Sequence, residues 1–205
     1  GANGVILITT KKGEEGHVRV NYSNSTTFLS PFVTPRFQNT YGSRRGSYMS
    51  WGSKLDTPSS YDPMDFFQTG FNETNSLSVS GGTKRNQTYG SASAVNARGI
   101  VPNNVYNRYN FTIRNTAELV EDKLTLDLSA QYMRQYDRNM LVQGQFHNPL
   151  IPIYLFPRSE DVEKYKLFER YDPVAEYYKQ FWPAEYGDLQ MGAENPWWIV
   201  NRELF

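Results

Sequence analysis

Carboxylates are the side chains of this sequence that come closest to a catalytic set. Asp161, Glu163, Glu185, Asp188 and Glu194 fall in one C-terminal stretch. Glycoside hydrolysis needs two carboxyl groups at a fixed separation, and nothing in this spacing fixes one. The plainer reading is acid at a helix N-terminus and on a solvated loop. The same oxygens could hold calcium, but the Asp-x-Asp-x-Asp spacing of such a loop is missing. The two histidines, His17 and His147, are far apart and there is no cysteine. Thiolate catalysis, disulfides and Cys-based zinc sites are therefore excluded. No nucleophile–base set can be assembled, so the reading is of a non-enzyme with no catalytic residue, metal or cofactor.

Gly42–Gly46 (Gly-Ser-Arg-Arg-Gly) lacks the strand, Lys-Ser/Thr and helix of a phosphate cradle. Five Asn-x-Ser/Thr triplets, at Asn21, Asn24, Asn72, Asn86 and Asn110, match the glycosylation signal. Polar strand faces rich in Asn, Ser and Thr also produce such triplets by chance. The aromatics offer more: 15 Tyr, 12 Phe and 4 Trp in 205 residues. Trp182, Tyr186, Trp197 and Trp198 cluster late in the chain, where they could touch a ligand or a covering partner, or pack within their own loop. Tyr109, Phe111, Tyr132 and Tyr136 lie near the long-loop ends of alternating segments, the place of a membrane-interface girdle.

The elements that must position these residues are strands. Lys+Arg and Asp+Glu balance at 21 each, which provides no field for gripping nucleic acid. The hydrophobic fraction of 39% is low for a soluble domain, while the aromatics oppose disorder. Val5–Ile8, between glycines, reads as a strand covered on both faces. From Val18 to Phe28 the period changes to strict alternation, and the pattern returns at Asn72–Ser80, Gln87–Ala97, Tyr106–Val120 and Lys123–Asp137. A two-residue turn at Glu121-Asp122 would set Leu119 opposite Leu124, Ile113 opposite Ala130 and Phe111 opposite Tyr132. Gly81–Asn86 is a second tight turn. By contrast, Ser30–Gly70 and Asn139–Phe205 are long. Within them, Asp62-Pro63 predicts a short helix ending at Gly70, and Ser159 with Glu160, Asp161 and Glu163 predicts another. Asp172-Pro173 predicts a third, with Val174, Tyr177, Tyr178 and Phe181 on one face. Long alternating strands joined by short turns on one side and long loops on the other suit two architectures. One is a soluble sandwich or barrel, as in an extracellular carbohydrate-binding β-domain; the other is an outer-membrane barrel.

Gly1–Gly13 (Gly-Ala-Asn-Gly-Val-Ile-Leu-Ile-Thr-Thr-Lys-Lys-Gly) resembles the end of the plug domain in the SusC/RagA family of TonB-linked outer-membrane transporters. Phe67-Gln68-Thr69-Gly70-Phe71 and Asn75–Gly82 resemble that family's second wall strand and turn, and Arg108-Tyr109-Asn110-Phe111 the start of a later strand. Asn195-Pro196-Trp197-Trp198, with Asn201-Arg202, is similar to a stretch of a large extracellular loop. The resemblance implies an all-β fold, part of a 22-stranded antiparallel transmembrane barrel with long, partly helical extracellular loops. Residues 1–13 would close the plug domain, and 14–205 would begin the barrel with about five strands. It also implies the outer membrane of a Gram-negative member of the Bacteroidota, and uptake of oligosaccharides or peptides. The implied partners are a SusD-like surface lipoprotein as lid, the TonB complex and outer-membrane lipid, and no nucleic acid. Five strands leave two edges unpaired, which hydrocarbon does not tolerate. The chain therefore reads as an internal piece of a larger protein, without signal peptide or TonB box, with Asn139–Phe205 outside the cell.

Overall fold

The computed structural model describes residues 11–44, 47–49, 51–144, 146–182 and 194–203. The strand expected at Val5–Ile8, and with it most of the segment expected to close a plug domain, lies outside these residues. The chain divides into two compact units.

The first unit is built on one sheet. Strands β1 (Gly16–Leu29), β2 (Gly70–Thr83), β3 (Asn86–Arg98), β4 (Val105–Val120) and β5 (Leu124–Arg138) lie side by side in chain order, a meander in which neighbours run antiparallel. All five expected strands form: the first three extend by one to three residues at each end, β4 starts one residue earlier, and β5 is shifted one residue along the chain. The β2–β3 turn is tighter than expected, because β2 continues through Gly81 and Gly82 to Thr83. Glycine is required at 82: φ is +153°, and a Cβ there would stand 2.2 Å from the Asn86 carbonyl oxygen. The β4–β5 turn falls where expected, with Lys123 joining Glu121 and Asp122 between the strands; Lys123 N–H closes it on the Val120 carbonyl at 3.0 Å, with Asp122 at φ +53°. The two short turns share one end of the sheet, where Arg85 pairs with Glu121 at 2.6 Å.

The second unit comprises residues 28–71, 98–105 and 137–205. Its core is Phe66, Val101, Ile153, Ile199 and Val200, with Phe67, Ile100, Tyr154 and Trp197 packed against it. Complete burial of such side chains contributes about 1.5–3 kcal/mol each. The expected helix after Asp62 is a single 3₁₀ turn, Pro63–Phe66, capped as expected by Asp62 Oδ1 on Met64 N–H at 2.9 Å. Its turn ends at Phe67, whose backbone is already extended. Helix α1 (Leu150–Leu155) was not anticipated. The acid-led helix after Ser159 shrinks to α2 (Glu163–Lys166), where Asp161 rather than Ser159 receives the Glu163 N–H.

The third expected helix is a hairpin instead. Strand β6 (Glu169–Asp172) pairs antiparallel with β7 (Tyr177–Gln180), Tyr171 opposite Tyr178. Two local facts defeat the helical spacing. Asp172 Oδ1 accepts from both Val174 and Ala175 N–H, at 2.9 and 3.0 Å, and Glu176 adopts φ +58°, which turns the chain back. The cross-strand tyrosine rings then meet at 5.3 Å, and Lys179 Nζ reaches Asp172 Oδ2 at 2.6 Å.

Candidate functional site

The sheet sorts its side chains by parity. Tyr22, Leu77, Ala92, Ala94 and Tyr109 surround one shallow apolar hollow and so share a face. By alternation, Val18, Val20, Val79, Phe111, Ile113, Leu119, Leu124, Leu126, Leu128 and Tyr132 belong to it. This face is uncovered: its large apolar side chains keep 39–70% of their surface exposed. The opposite face is polar. Tyr89, Ser91, Thr112, Arg114, Ser129 and Gln131 line one cavity of about 300 Å³ with Lys11. Arg19, Asn21, Ser78 and Ser80 line another with Lys11 and Lys12. Arg114 and Asp127 form a bidentate pair there, with Nε 2.9 Å from Oδ1 and Nη2 also bonded to Oδ2. The segment 11–13 rests on this polar face, and Gly13 presses so closely on Gln87–Thr88 that a Cβ would lie 2.6 Å from the Thr88 nitrogen.

The apolar band has a rim. Beyond Tyr22 and Tyr109, the same face turns to Asn24, Glu73, Asn75, Asn96 and Asn107. Tyr22 OH donates to Asn75 Oδ1 at 2.7 Å, and Tyr109 OH to Asn96 Oδ1 at 3.0 Å. Each ring thus lies over apolar neighbours with its hydroxyl on the polar side. Tyr132 and Tyr136 occupy the same parity on β5 and are more than half exposed. Tyr22 was not singled out in the sequence, because β1 gives no cue to its level relative to Tyr109; the Asn75 bond supplies it.

In the second unit, aromatic side chains make a contiguous cluster. Phe156 meets Tyr61, Tyr165 and Trp182 at ring distances of 5.0, 5.7 and 6.0 Å, and Tyr165 stacks on Phe181 at 5.4 Å. Trp182 also donates from Nε1 to the Tyr48 hydroxyl at 2.7 Å. Trp197 packs edge-on against Phe66 in the core, while Trp198 donates to Glu203 Oε1 at 2.8 Å and faces Phe168. Trp182, Trp197 and Trp198 therefore each have a place within their own unit; Tyr186 lies outside the described residues. Asn195 ties these pieces together. It is fully buried, its Nδ2 donating to the Tyr165 and Phe181 carbonyls at 2.8 and 2.9 Å. Its Oδ1 accepts from Trp197 and Trp198 N–H, capping the short helix α3 (Pro196–Trp198), which runs on as a π-helical turn, Ile199–Glu203. Asn-Pro-Trp-Trp is thus a capped helix start.

Charged groups gather at two further places. His147 Nδ1 lies 3.0 Å from Glu203 Oε2 and 3.7 Å from Glu194 Oε2. The bond to Glu203 raises the imidazole pKa, and burial beside Glu203 pushes the Glu194 carboxyl up to about 7. Their ligating atoms fall within 4.8 Å of one another, the reach of a metal site, yet the three groups also satisfy one another directly. Of the five carboxylates considered in the sequence, only Glu194 joins this trio; Glu185 and Asp188 lie outside the described residues. In the hairpin, the Lys179 ammonium and the Ala175 and Val174 N–H groups hold Asp172 down to about 2. The second place is Arg158, nearly buried between the Phe37 and Tyr61 rings. Burial pulls its pKa below the ordinary guanidinium value and pushes the Tyr61 phenol up. Neither Arg158 nor Glu203 carried a motif that sequence reading could have found.

The described residues thus define a mostly antiparallel β protein whose sheet has one uncovered apolar face and one polar face. No helix among them is long and apolar enough to cross a membrane, which says nothing of strands. No known family's profile matches the chain. It is similar to the TonB-dependent receptor SusC of Bacteroides thetaiotaomicron, 27% identical over 165 residues, covering 75% of this chain. The chain spans 16% of that protein's length.

Proposed function

We propose that this chain forms wall strands and surface loops of a TonB-dependent outer-membrane importer of the SusC/RagA type. The observation that carries the reading is the uncovered apolar face with its tyrosine rim, backed by a polar face. A soluble sandwich would set a second sheet against those side chains; among the described residues none covers them. Lipid would. From Leu119 to Tyr109 the band runs about 33 Å along the strand at 3.3 Å per residue. At a strand tilt of about 40° that is about 25 Å of height, the thickness of the apolar belt of such barrels. Tyr109, Phe111, Tyr132 and Tyr136, with Tyr22, form the interfacial girdle on this reading. The likeness to SusC supports the same assignment.

Residues 1–13 close the plug and 14–205 open the barrel. The plug occupies the lumen, which agrees with segment 11–13 resting on the polar face. Sheet edges β1 and β5 pair with further strands of a complete, 22-stranded wall, since open edges in hydrocarbon are costly. The short turns face the periplasm and Asn139–Phe205 the exterior, where Trp182, Tyr186, Trp197 and Trp198 brace or line the surface that meets a SusD-like lid and the glycan or peptide cargo. The work is transport driven through TonB, without covalent chemistry. A tag inserted at Gly187 of the complete protein tests the topology. It should be labelled on intact cells; labelling only after the outer membrane is permeabilised would overturn the assignment. Cargo uptake that persists unchanged without TonB would overturn the transport mechanism.

A further inference from the structure

Arg158 is 4% exposed, yet no carboxylate among the described residues lies within ion-pair distance of it. A guanidinium carries five N–H donors. Among the described residues this one makes a single hydrogen bond, Nη1 to the Tyr61 carbonyl at 3.3 Å. Its guanidinium carbon lies over the Phe37 and Tyr61 rings, 4.6 and 5.1 Å from their centroids. Burying a cation without a counter-charge is unfavourable, and two ring faces recover only part of that cost.

Arg158 lines two neighbouring cavities, and their charges differ. The cavity of about 450 Å³ is bordered by Asp65, Glu160, Asp161 and Glu163, a wall that repels anions. The cavity of about 540 Å³ contains Arg158 and Arg36 against a single acid, Asp62. Asp62 acts on Arg158 through its charge without bonding to it, and one of its oxygens caps the following turn. Thr34, Asn39 and Ser60 add small polar groups to its lining. We propose that this larger cavity is a subsite for the carboxylate of an acidic solute, anchored by the guanidinium N–H groups that lack an acceptor among the described residues, with Arg36 as a second, exposed cation. The fork of an arginine suits a carboxylate in two-point contact. Both an acidic sugar and an acidic peptide carry that group. The assignment rests on the importer reading only in naming the solute a cargo; binding itself is measured without transport.

The test is calorimetric titration of the complete protein in detergent with two matched pairs. One is trigalacturonic acid against maltotriose; the other is a blocked Ala-Asp-Ala peptide against Ala-Asn-Ala. The acidic member of one pair should bind at least tenfold more tightly, and which pair responds identifies the source of the carboxylate. Arg158→Met, which keeps an apolar stem between the rings, should abolish the preference. Arg158→Lys should weaken it severalfold, since an ammonium keeps the charge without the fork. Equal binding within both pairs, or no binding by any probe, overturns the proposal. So does a preference that survives Arg158→Met; in that event the arginine only braces Phe37 and Tyr61. Should Arg158→Met fail to fold, the wild-type pairs and Arg158→Lys decide alone, and an unchanged preference in the lysine variant overturns it. None of these outcomes bears on the surface-tag topology, so the two readings fail separately.

Discussion

Asn195 uses all four of its side-chain hydrogen-bonding positions in a fully buried setting, so Asn195→Asp is a sharp perturbation. The substitution keeps the shape and the Oδ1 that caps α3, but it removes both Nδ2 donors. The Tyr165 and Phe181 carbonyls, 2.8 and 2.9 Å away, would then face a carboxylate oxygen. Each lost bond costs about 1 kcal/mol net, and each orphaned buried acceptor about 1–3 kcal/mol. A negative charge at a helix N-terminus returns about 0.3–1 kcal/mol. The balance is at least about 3 kcal/mol against the closed arrangement of residues 163–181 and 195–203, on the order of a 100-fold or greater rise in local opening at about 1.4 kcal/mol per decade. Hydrogen–deuterium exchange of the complete protein in detergent reads this peptide by peptide. Burial raises the pKa of the new carboxyl above its unfolded value, so the folded state binds the extra proton. The destabilisation should therefore shrink as pH falls through that raised pKa and grow as pH rises. Asn195→Ala, which also loses the cap, should open at least as readily. Exchange within threefold of wild type in both variants would refute the claim that Asn195 holds these segments together.

Leu128→Lys, on the uncovered apolar face, should cost about 2–4 kcal/mol in folding into lipid vesicles, whereas Gln131→Lys on the polar face should cost less than about 0.5 kcal/mol; equal effects would contradict the assignment of faces. Glu194 and His147 both have folded pKa values raised above their unfolded ones, so the stability each contributes is present at low pH and is lost as pH rises through its folded pKa, near 7 for Glu194. Exchange of residues 194–203, corrected for intrinsic rates, should accelerate between pH 6 and 8 in the wild-type protein and do so less in Glu194→Gln; a flat profile in the wild type would count against the trio. Gly82→Ala forces a Cβ toward the Asn86 carbonyl at a positive φ and should cost about 1–3 kcal/mol, visible as faster exchange at the β2–β3 turn; unchanged protection there would show that the turn has room to relax.

The five long strands were legible in the residues because pleat alternation is local: each side chain's face follows from its neighbours two positions away. Lys123–Asp137 declares its two faces without reference to the rest of the chain, and the turn at Glu121-Asp122 follows from where that alternation breaks. Even the weak Gln87–Ala97 segment becomes a strand, because β2 and β4 on either side complete its backbone bonding. Local pattern failed where two periods competed. Val174, Tyr177, Tyr178 and Phe181 fit a helix by spacing, but an Asx turn at Asp172 and a cross-strand tyrosine pair decided for a hairpin. Alternation was equally silent on whether the apolar face packs inward on a second layer or stands uncovered. The tertiary structure decided that by placing no layer there among the described residues. It also decided every polar site of the second unit. Tyr61 and Arg158 are 97 positions apart, His147 and Glu203 are 56, and Asn195 bonds back to Tyr165 over 30. No spacing rule links such residues, because they are joined by the path the chain takes around the buried Phe66, Ile153, Ile199 and Val200 rather than by any repeat along it.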